Sequence, residues 1–211
     1  MGRIYDETWG RLFAAVYDRG LKATEEAGLR EMRRETLAQA SGRTIDLGAG
    51  TGVNRDLFPD AVTELVLAEP DPHMLAKLRA KVSETESLRI VQASAQDLPF
   101  EDDSFDTAVF TLVLCTVPDP DAALAEAARI LRPGGKLLFV EHVRSGDERL
   151  ARWQDRLEKP WRFLADGCHC NRDTVAAIEA SPFQLEHVER GRMPKTPPIV
   201  QPLTRGTARL A

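Results

Sequence analysis

The sequence predicts an α/β protein in which a parallel sheet is covered by helices on both faces. Three observations point to this fold class. Short apolar, β-branched runs alternate with helical segments, a glycine-rich loop follows the first run, and an acidic residue, Glu69, ends the second. Alternating strands and helices are typical of βαβ units, whose parallel strands are buried on both sides.

Length and composition agree with this class. The 211 residues suffice for one α/β domain, and 43% hydrophobic with 29% charged residues is typical of a soluble globular protein. A net charge of −5 argues against nucleic acid as a partner, because phosphate binding needs a basic face. We expect no membrane span, since no apolar run approaches about 20 residues, and no signal peptide. Three cysteines cannot build a disulfide framework, which indicates a reduced, cytoplasmic protein.

The elements follow in a regular order. Residues 4–40 have helical periodicity, and Gly20 is expected to separate two helices. Strands are predicted at 44–47, 64–69, 88–93, 105–114 and 135–143, with helices at 71–84 and 119–131. Both helices open with Asp followed by Pro, a favourable pair for the N-cap and first turn. Helices at 147–158 and 172–180 and strands at 183–190 and 199–210 complete the chain.

The glycine-rich loop lies in "TIDLGAGTG", residues 44–52. Its pattern is G-x-G-x-G, and Val53 stands where the dinucleotide fingerprint requires its third glycine, so a pyrophosphate cradle is disfavoured. Ligands of open α/β sheets bind at the carboxyl ends of strands, where Glu69 could accept hydrogen bonds from two ribose hydroxyls. The alternative is a tight turn beside a surface glutamate.

Four successive motifs carry a resemblance to a known family. "IDLGAGTG", "EPDPHMLAKL", "ASAQDLPFEDDSFD" and "ARILRPGGKLLFVEH" resemble, in order and spacing, class I S-adenosylmethionine (SAM)-dependent methyltransferases of the ubiquinone-biosynthesis-like group. The resemblance implies a Rossmann-like sheet of seven strands with the last antiparallel. It also implies one methyltransferase domain over 1–211, with a helical cap at 1–40, a SAM-binding core at 41–145 and acceptor-side elements at 146–211.

The same resemblance implies roles for individual residues around SAM. The methionine part would lie against Asp46, Leu47, Gly48, Ala49, Gly50 and Gly52. Glu69 would hold the ribose, and Pro70 and Met74 would lie near the adenine. Ser94 occupies a position that is often Asp in the family, so the backbone of Ala95 and Gln96 would complete adenine recognition. Phe110 and Thr111 would border the methionine amino group and the acceptor. Tyr5 and Tyr17 could form a lid over SAM, the alternative being an amphipathic helix that packs on the sheet.

A narrower resemblance concerns the acceptor. "TLVLCTV", "VEHV" and an Asp-Gly-Cys followed by Arg-x-Thr are similar to the alkyl thiol methyltransferase branch and its bacterial relatives. This similarity implies direct, in-line methyl transfer to a small-molecule thiol. Two alternatives stay open: O- or C-methylation of a quinone, phenol or secondary metabolite, and SAM binding without catalysis. Some relatives are held at a membrane by an N-terminal apolar anchor, but we do not expect a membrane location for this chain.

Two residues are candidates for proton transfer. His142 ends the fifth strand, and its ordinary pKa near 6.5 suits a general base. Asp166 could orient His142 or act alone. Their alternatives are a hydrogen-bonded histidine at a strand end and a turn carboxylate. The predicted acceptor pocket comprises Tyr5, Cys115, Trp153, Trp161 and His169. A cysteine at the end of an apolar strand, such as Cys115, is more often a small core residue, and the tryptophans could instead pack the cap.

The segment "ADGCHCNRDT", residues 165–174, raises the question of a metal site. Structural zinc needs four ligands at recognisable spacing, whereas residues 168–170 are contiguous and no second Cys/His cluster is visible in the sequence. We therefore expect no metal and no disulfide within so small a ring. The segment is predicted to turn into a helix capped by Asn171 or Asp173, with Arg172 pairing with a carboxylate.

Overall fold

The computed structural model describes residues 2–211, with side chains described from Gly10 onward. The strands are β1 (Gly42–Leu47), β2 (Val62–Ala68), β3 (Leu88–Val91), β4 (Phe105–Thr111), β5 (Leu131–His142), β6 (Phe183–Arg192) and β7 (Pro202–Leu210). The helices are α1 (Gly2–Thr24), α2 (Arg30–Leu37), α3 (Pro72–Lys81), α4 (Pro120–Ile130), α5 (Glu148–Leu164) and α6 (Thr174–Glu179).

The strands form one sheet in the order β3-β2-β1-β4-β5-β7-β6. Pairs from β3 through β5 are parallel, whereas β7 is antiparallel to both β5 and β6. The predicted Rossmann-like sheet with an antiparallel last strand is therefore confirmed. The chain order reverses between β1 and β4, and this switch point is where open α/β sheets bind ligands.

The central strands are buried on both faces because helices cover them. Ile45, Phe110 and Phe139, on three neighbouring strands, have no exposed surface, and they share one apolar cluster with Leu124 and Ile130 of α4. Burial of each such side chain contributes about 1.5–3 kcal/mol. This rigid core holds the strand ends in place, and the loops that follow them form the site.

The two Asp-Pro helix starts are confirmed. Asp71 Oδ1 accepts hydrogen bonds from the backbone N–H groups of His73 and Met74, and Asp119 does the same for the first turn of α4. Each cap satisfies donors that a helix leaves unpaired at its N-terminus. The Asp71 cap therefore fixes the direction in which α3 leaves the end of β2.

The N-terminal helices differ from the prediction in where they break. α1 continues through Gly20, and the helical path bends at Gly28, whose φ is 137°. A glycine inside a helix costs only about 1 kcal/mol relative to alanine, so it does not by itself end the helix. Among the described residues, no helix combines the length and apolar character needed to cross a bilayer.

Two further boundaries differ. α5 runs on to Leu164 through Pro160, which lies on an exposed side where water can replace the lost backbone hydrogen bond. β4 ends at Thr111, because Leu112 adopts a left-handed conformation with φ 60° and turns the chain. Cys115 therefore lies in a turn after β4 and not at the end of a strand.

Candidate active site

A cavity of about 530 Å³ opens at the carboxyl ends of β1, β2, β4 and β5. It lies within the range of small-molecule sites, roughly 300–1,000 Å³. One end is formed by the glycine loop and the residues after β2. The other is mainly apolar and is formed by the turn after β4, the end of α5 and the segment 193–200. The cavity therefore lies at the switch point of the sheet and joins two chemically different ends.

The glycine loop brings main chain to the cavity wall. Gly48 and Gly50 line the cavity with φ values of 68° and 58°. A Cβ on Gly48 would lie 2.6 Å from Val113 Cγ2, so glycine is required there for packing as well as for conformation. A Cβ on Gly50 would meet no atom within 4 Å. The open space beside Gly50 lets a ligand approach the backbone closely.

Glu69 lies buried at the end of β2, beside that loop, and is 5% exposed. Its Oε2 accepts a hydrogen bond from Gly50 N at 2.7 Å and its Oε1 accepts one from Asp71 N at 2.8 Å. Burial raises the pKa of Glu69 to about 7, although these two hydrogen bonds oppose the rise. A carboxylate has about four acceptor sites, so each oxygen keeps capacity for a hydroxyl group of a ligand.

Asp46 lies beneath the glycine loop and does not line the cavity. Asn54 Nδ2 donates to both Asp46 oxygens, at 3.2 and 3.0 Å, and to Thr111 Oγ1 at 2.8 Å. The buried Arg33 in turn donates to Asn54 Oδ1 at 3.1 Å. Burial raises the pKa of Asp46 to about 7. Asp46 therefore supports the loop through Asn54 and contributes no atom to the cavity wall.

Helix α1 covers the glycine-loop end of the cavity. Phe13 and Tyr17 line the wall, and burial raises the pKa of Tyr17 to about 12, so its phenol stays protonated. Asp18 bonds Thr51 of the glycine loop and Lys81 of α3, which ties the helix to both elements. The predicted pocket residue Tyr5 lies outside the residues whose side chains are described.

The residues predicted to surround an adenine lie together on one wall. Pro70 and Met74 come from the start of α3, and Ser94, Ala95 and Gln96 come from the loop after β3. Ser94 Oγ accepts a hydrogen bond from Gln96 N at 3.2 Å, which shapes this loop. The wall is therefore built by two loops that follow neighbouring strands.

Two thiol groups and one imidazole group meet at the apolar end of the cavity. Cys115, His142 and Cys168 all line the cavity, and their candidate ligand atoms lie within 4.8 Å of one another. His142 Nε2 lies 2.8 Å from Cys168 Sγ, and the indole N–H of Trp161 donates to the same sulfur at 3.2 Å. A hydrogen bond with Cys168 and burial raise the pKa of Cys115 well above its ordinary value. No local spacing in the sequence indicates this group, because folding brings Cys115 and His142 to Cys168 from distant positions.

Asp166 lines the same end from the turn after α5. Asp166 and Gly167 both have positive φ values, 47° and 89°. Such a conformation is uncommon for aspartate, costs on the order of 1–3 kcal/mol, and is concentrated at ligand sites. The negative charge of Asp166 adds to the rise in the pKa of Glu69, after burial and the charge of Asp71.

Several predicted site residues lie away from the cavity wall. Trp153 is 54% exposed on α5, with the Arg156 guanidinium over its ring, whereas Trp161 does line the cavity. His169 Nδ1 faces Glu158 Oε1 at 2.8 Å. The remaining residues outside the wall are Leu47, Ala49, Gly52, Phe110 and Thr111, which lie behind it in the sheet and loop.

The turn before α6 caps the helix as predicted but holds Arg172 differently. Asp173 accepts from Ala176 N at 3.1 Å, and this confirms one of the two proposed caps. Arg172 Nη1 donates to the carbonyls of Leu114 and Val117, at 2.7 and 2.6 Å, so the predicted carboxylate partner is wrong. The carbonyl groups in the turn after β4 have no neighbouring strand to supply hydrogen bonds, so they accept them from the Arg172 guanidinium. Arg172 therefore fixes the turn that carries Cys115.

Two buried groups that shape the site, Glu141 and Asn54, were not among the predicted site residues. Glu141 accepts hydrogen bonds from the backbone N–H groups of Val113 and Leu114, at 2.8 and 3.0 Å, and from Cys115 N at 3.3 Å. Asn54 links Asp46 to Arg33, as described above. The available signal for Glu141 was a charged residue inside an apolar strand, where a buried charge needs partners. Nothing local marked the proline-rich segment 193–200 as cavity wall.

Comparison with known proteins defines the class. A family model described as a methyltransferase domain matches residues 45–139. Human thiol S-methyltransferase TMT1B is 36% identical over 171 residues, which cover 75% of this chain and 70% of that protein. The chain therefore belongs to the SAM-dependent methyltransferases, and SAM is its methyl donor.

Other relatives and solved structures agree with this class. Human thiol S-methyltransferase TMT1A is 31% identical over 169 residues, which cover 78% of this chain and 69% of that protein. The phosphatidylethanolamine N-methyltransferase of Cereibacter sphaeroides is 32% identical over 189 residues, covering 85% and 87%. A SAM-dependent methyltransferase from Thermotoga maritima has the same fold, with a TM-score of 0.71 at 21% identity over 95% of this chain and 97% of that one.

Proposed function

We propose that this enzyme methylates the thiol group of a small, largely apolar acceptor. One observation carries the proposal: a single cavity joins the glycine loop and Glu69 to an apolar end where His142 and Asp166 lie. The similarity to thiol S-methyltransferases supports the same acceptor class. Free, buried thiols at all three cysteines support a reducing, cytoplasmic location.

SAM would bind at the glycine-loop end. The open space beside Gly50 and the spare acceptor capacity of Glu69 suit a ribose with two hydroxyl groups. Pro70, Met74 and the loop at Ser94 would hold the adenine. Bound SAM supplies a methyl group made reactive by the positive sulfonium, so the protein's main tasks are to orient the acceptor and exclude water.

The apolar end would hold the acceptor. Trp161, Val117 and Met193 are among its lining residues, and they favour an alkyl or aromatic acceptor over a charged one. A thiol must lose its proton before its sulfur attacks. His142 and Asp166 are the two proposed proton acceptors, because both line this end of the cavity.

A product assay tests the function. The purified chain is incubated with SAM and, separately, with an alkyl thiol, a phenol, a quinol and an amine. Mass spectrometry then measures S-adenosylhomocysteine and methylated product. We expect the thioether as the main product. Methylation of the phenol, quinol or amine in preference to the thiol would contradict the acceptor class, and the absence of product from every acceptor would contradict the proposed small-molecule activity.

A further inference from the structure

The cluster of two thiols and one imidazole supports an inference about how the acceptor is activated. We infer that Cys115, His142 and Cys168 bind one Zn²⁺ ion and leave a fourth coordination position open to the cavity for the acceptor thiol. The inference rests on the proposed function for the identity of that fourth ligand. The metal site itself rests on the geometry of the three side chains.

The distances suit zinc. Tetrahedral Zn²⁺ with Zn–S of about 2.3 Å and Zn–N of about 2.1 Å holds its ligand atoms about 3.6–3.8 Å apart. In this structure the three ligand atoms all lie within 4.8 Å of one another, and the closest contact, His142 Nε2 to Cys168 Sγ, is 2.8 Å. The His142–Cys168 contact would have to widen by about 0.8 Å to admit the ion, and the other two pairs already lie within 4.8 Å. Two thiolates and an imidazole favour zinc over hard cations such as Mg²⁺.

The backbone holds the two thiols near each other independently of any ion. His169 N donates to Cys115 O at 2.8 Å, which ties the turn after β4 to the turn after α5. Glu141 accepts hydrogen bonds from the turn that carries Cys115, and His142 is the next residue along β5. All three side chains are buried, at 0%, 4% and 8% exposure for Cys115, His142 and Cys168. Three ligands on three fixed elements form a preorganised site.

The surrounding groups complement thiolate ligands. The Trp161 indole N–H donates to Cys168 Sγ at 3.2 Å, and such outer hydrogen bonds orient and stabilise metal-bound sulfur. The polar contact of the His142 ring is made by Nε2 with the Cys168 sulfur, and Nδ1 is buried with no hydrogen-bond partner among the described residues. The nitrogen that faces the thiol is therefore the one that would ligate an ion.

Three protein ligands and an open position are typical of catalytic zinc. An acceptor thiol that coordinates the ion loses its proton, because a coordinated thiol is deprotonated. Its sulfur then attacks the methyl carbon, the bond from that carbon to the sulfonium breaks, and the products are a thioether and S-adenosylhomocysteine. With Nε2 of His142 on the metal, that nitrogen would not act as the proton acceptor considered under the proposed function, and the thiol proton would pass to water.

Metal binding can be measured without any turnover. The full chain is prepared with a phosphine reductant, stripped with a chelator, and titrated with Zn²⁺ and with Co²⁺. We expect one Zn²⁺ per chain, and for Co²⁺ the intense sulfur-to-metal absorption of thiolate ligation. Cys115→Ser and Cys168→Ser should each weaken Zn²⁺ binding by more than about 100-fold, since even outer-shell changes cost 10–100-fold.

Cys170→Ser is the matched control. Cys170 is fully buried two residues beyond Cys168, but its sulfur contacts Gln154 O and it does not belong to the cluster. This variant should bind Zn²⁺ like the parent. If a cluster variant fails to fold, the parent protein alone can test the metal site. Bound Zn²⁺ should slow the alkylation of Cys115 and Cys168 and leave the alkylation of Cys170 unchanged.

Clear outcomes would overturn the inference. The first is the absence of thiolate-to-metal absorption when Co²⁺ is added. The second is a loss of Zn²⁺ binding in Cys170→Ser as large as that in the cluster variants. The third is a Cys115–Cys168 disulfide in place of bound metal in the isolated chain. Adding butanethiol to the Co²⁺ protein should change the thiolate absorption. A protein that binds zinc but methylates no thiol would contradict the proposed function and leave the metal site standing, whereas thiol methylation unaffected by zinc removal would contradict the metal's role.

Discussion

Replacing Glu69 by glutamine should weaken binding of S-adenosylhomocysteine strongly while the fold persists. The carboxylate accepts hydrogen bonds from two backbone N–H groups, those of Gly50 and Asp71. A glutamine side chain has one acceptor oxygen and one NH₂ group. It can therefore satisfy only one of these two donors, and its NH₂ group faces the other.

The magnitude follows from these bonds. A buried donor left unsatisfied costs about 1–3 kcal/mol, and each hydrogen bond from a ligand hydroxyl to a charged acceptor contributes about 1.5–3 kcal/mol. Loss of one such ligand bond lowers affinity about 10–100-fold, since 1.4 kcal/mol corresponds to a factor of ten. Isothermal titration calorimetry with S-adenosylhomocysteine measures the affinity, and urea denaturation measures the cost to the fold.

A control variant on the same strand separates an effect on the binding site from an effect on the fold. Glu64 of β2 pairs with Arg43 at 2.9 Å and does not line the cavity, so Glu64→Gln should leave the affinity unchanged. Binding by Glu69→Gln as tight as that of the parent, with a cooperative unfolding transition retained, would refute the assignment of Glu69.

The same residue predicts a pH dependence. Burial raises the pKa of Glu69 to about 7, so the free protein gains a proton on this carboxyl as the pH falls through 7. The protonated group accepts fewer hydrogen bonds, and ligand affinity should fall from pH 8 to pH 6. Glu69→Gln removes this titration, although Asp46 still titrates near pH 7. The fall in affinity should therefore be smaller in the variant than in the parent, and a parallel fall in the variant would exclude Glu69 as the titrating group.

Three further changes test other parts of the site. Gly48→Ala should lower the free energy of unfolding by at least about 1–3 kcal/mol in urea denaturation, because φ is 68° and the new Cβ would lie 2.6 Å from a valine methyl; unchanged stability would contradict this packing. Asp18→Ala should weaken S-adenosylhomocysteine binding a few-fold by calorimetry, since α1 loses its bonds to the glycine loop and α3; equal affinity would show that α1 needs neither bond. Trp161→Ala should raise the KM for a thiol acceptor, whereas Trp153→Ala, at an exposed site, should not, and equal effects would contradict the cavity wall.

Much of the fold was predictable because its signals are local. The Asp-Pro starts of α3 and α4 and the apolar runs of β1, β2, β4 and β5 depend on neighbouring residues alone. The predictions that were wrong involve competition between local and tertiary effects. Gly20 has a weak tendency to break a helix, and the helix continues through it, whereas Gly28 adopts a φ of 137° that helical residues do not.

The predictions about the site also divide into those that depend on local sequence and those that depend on tertiary structure. The residues of the glycine loop, Glu69 and the Pro70–Met74 start of α3 follow directly on strand ends, so strand prediction alone placed them at one edge of the sheet. Which of them face the cavity required the structure. Asp46 precedes the loop by two residues, yet its side chain is turned towards Asn54 beneath the loop.

The sequence by itself determined the class of fold and the end of the cavity where SAM is proposed to bind, because both depend on short motifs at strand ends. Only the tertiary structure placed Cys115 and His142 beside Cys168, and Trp161 but not Trp153 on the cavity wall. His142 and Cys168 are 26 positions apart, on separate elements. Contacts of this kind exist only after β4, β5 and α5 have packed, since no local pattern specifies which side chains the sheet will bring together.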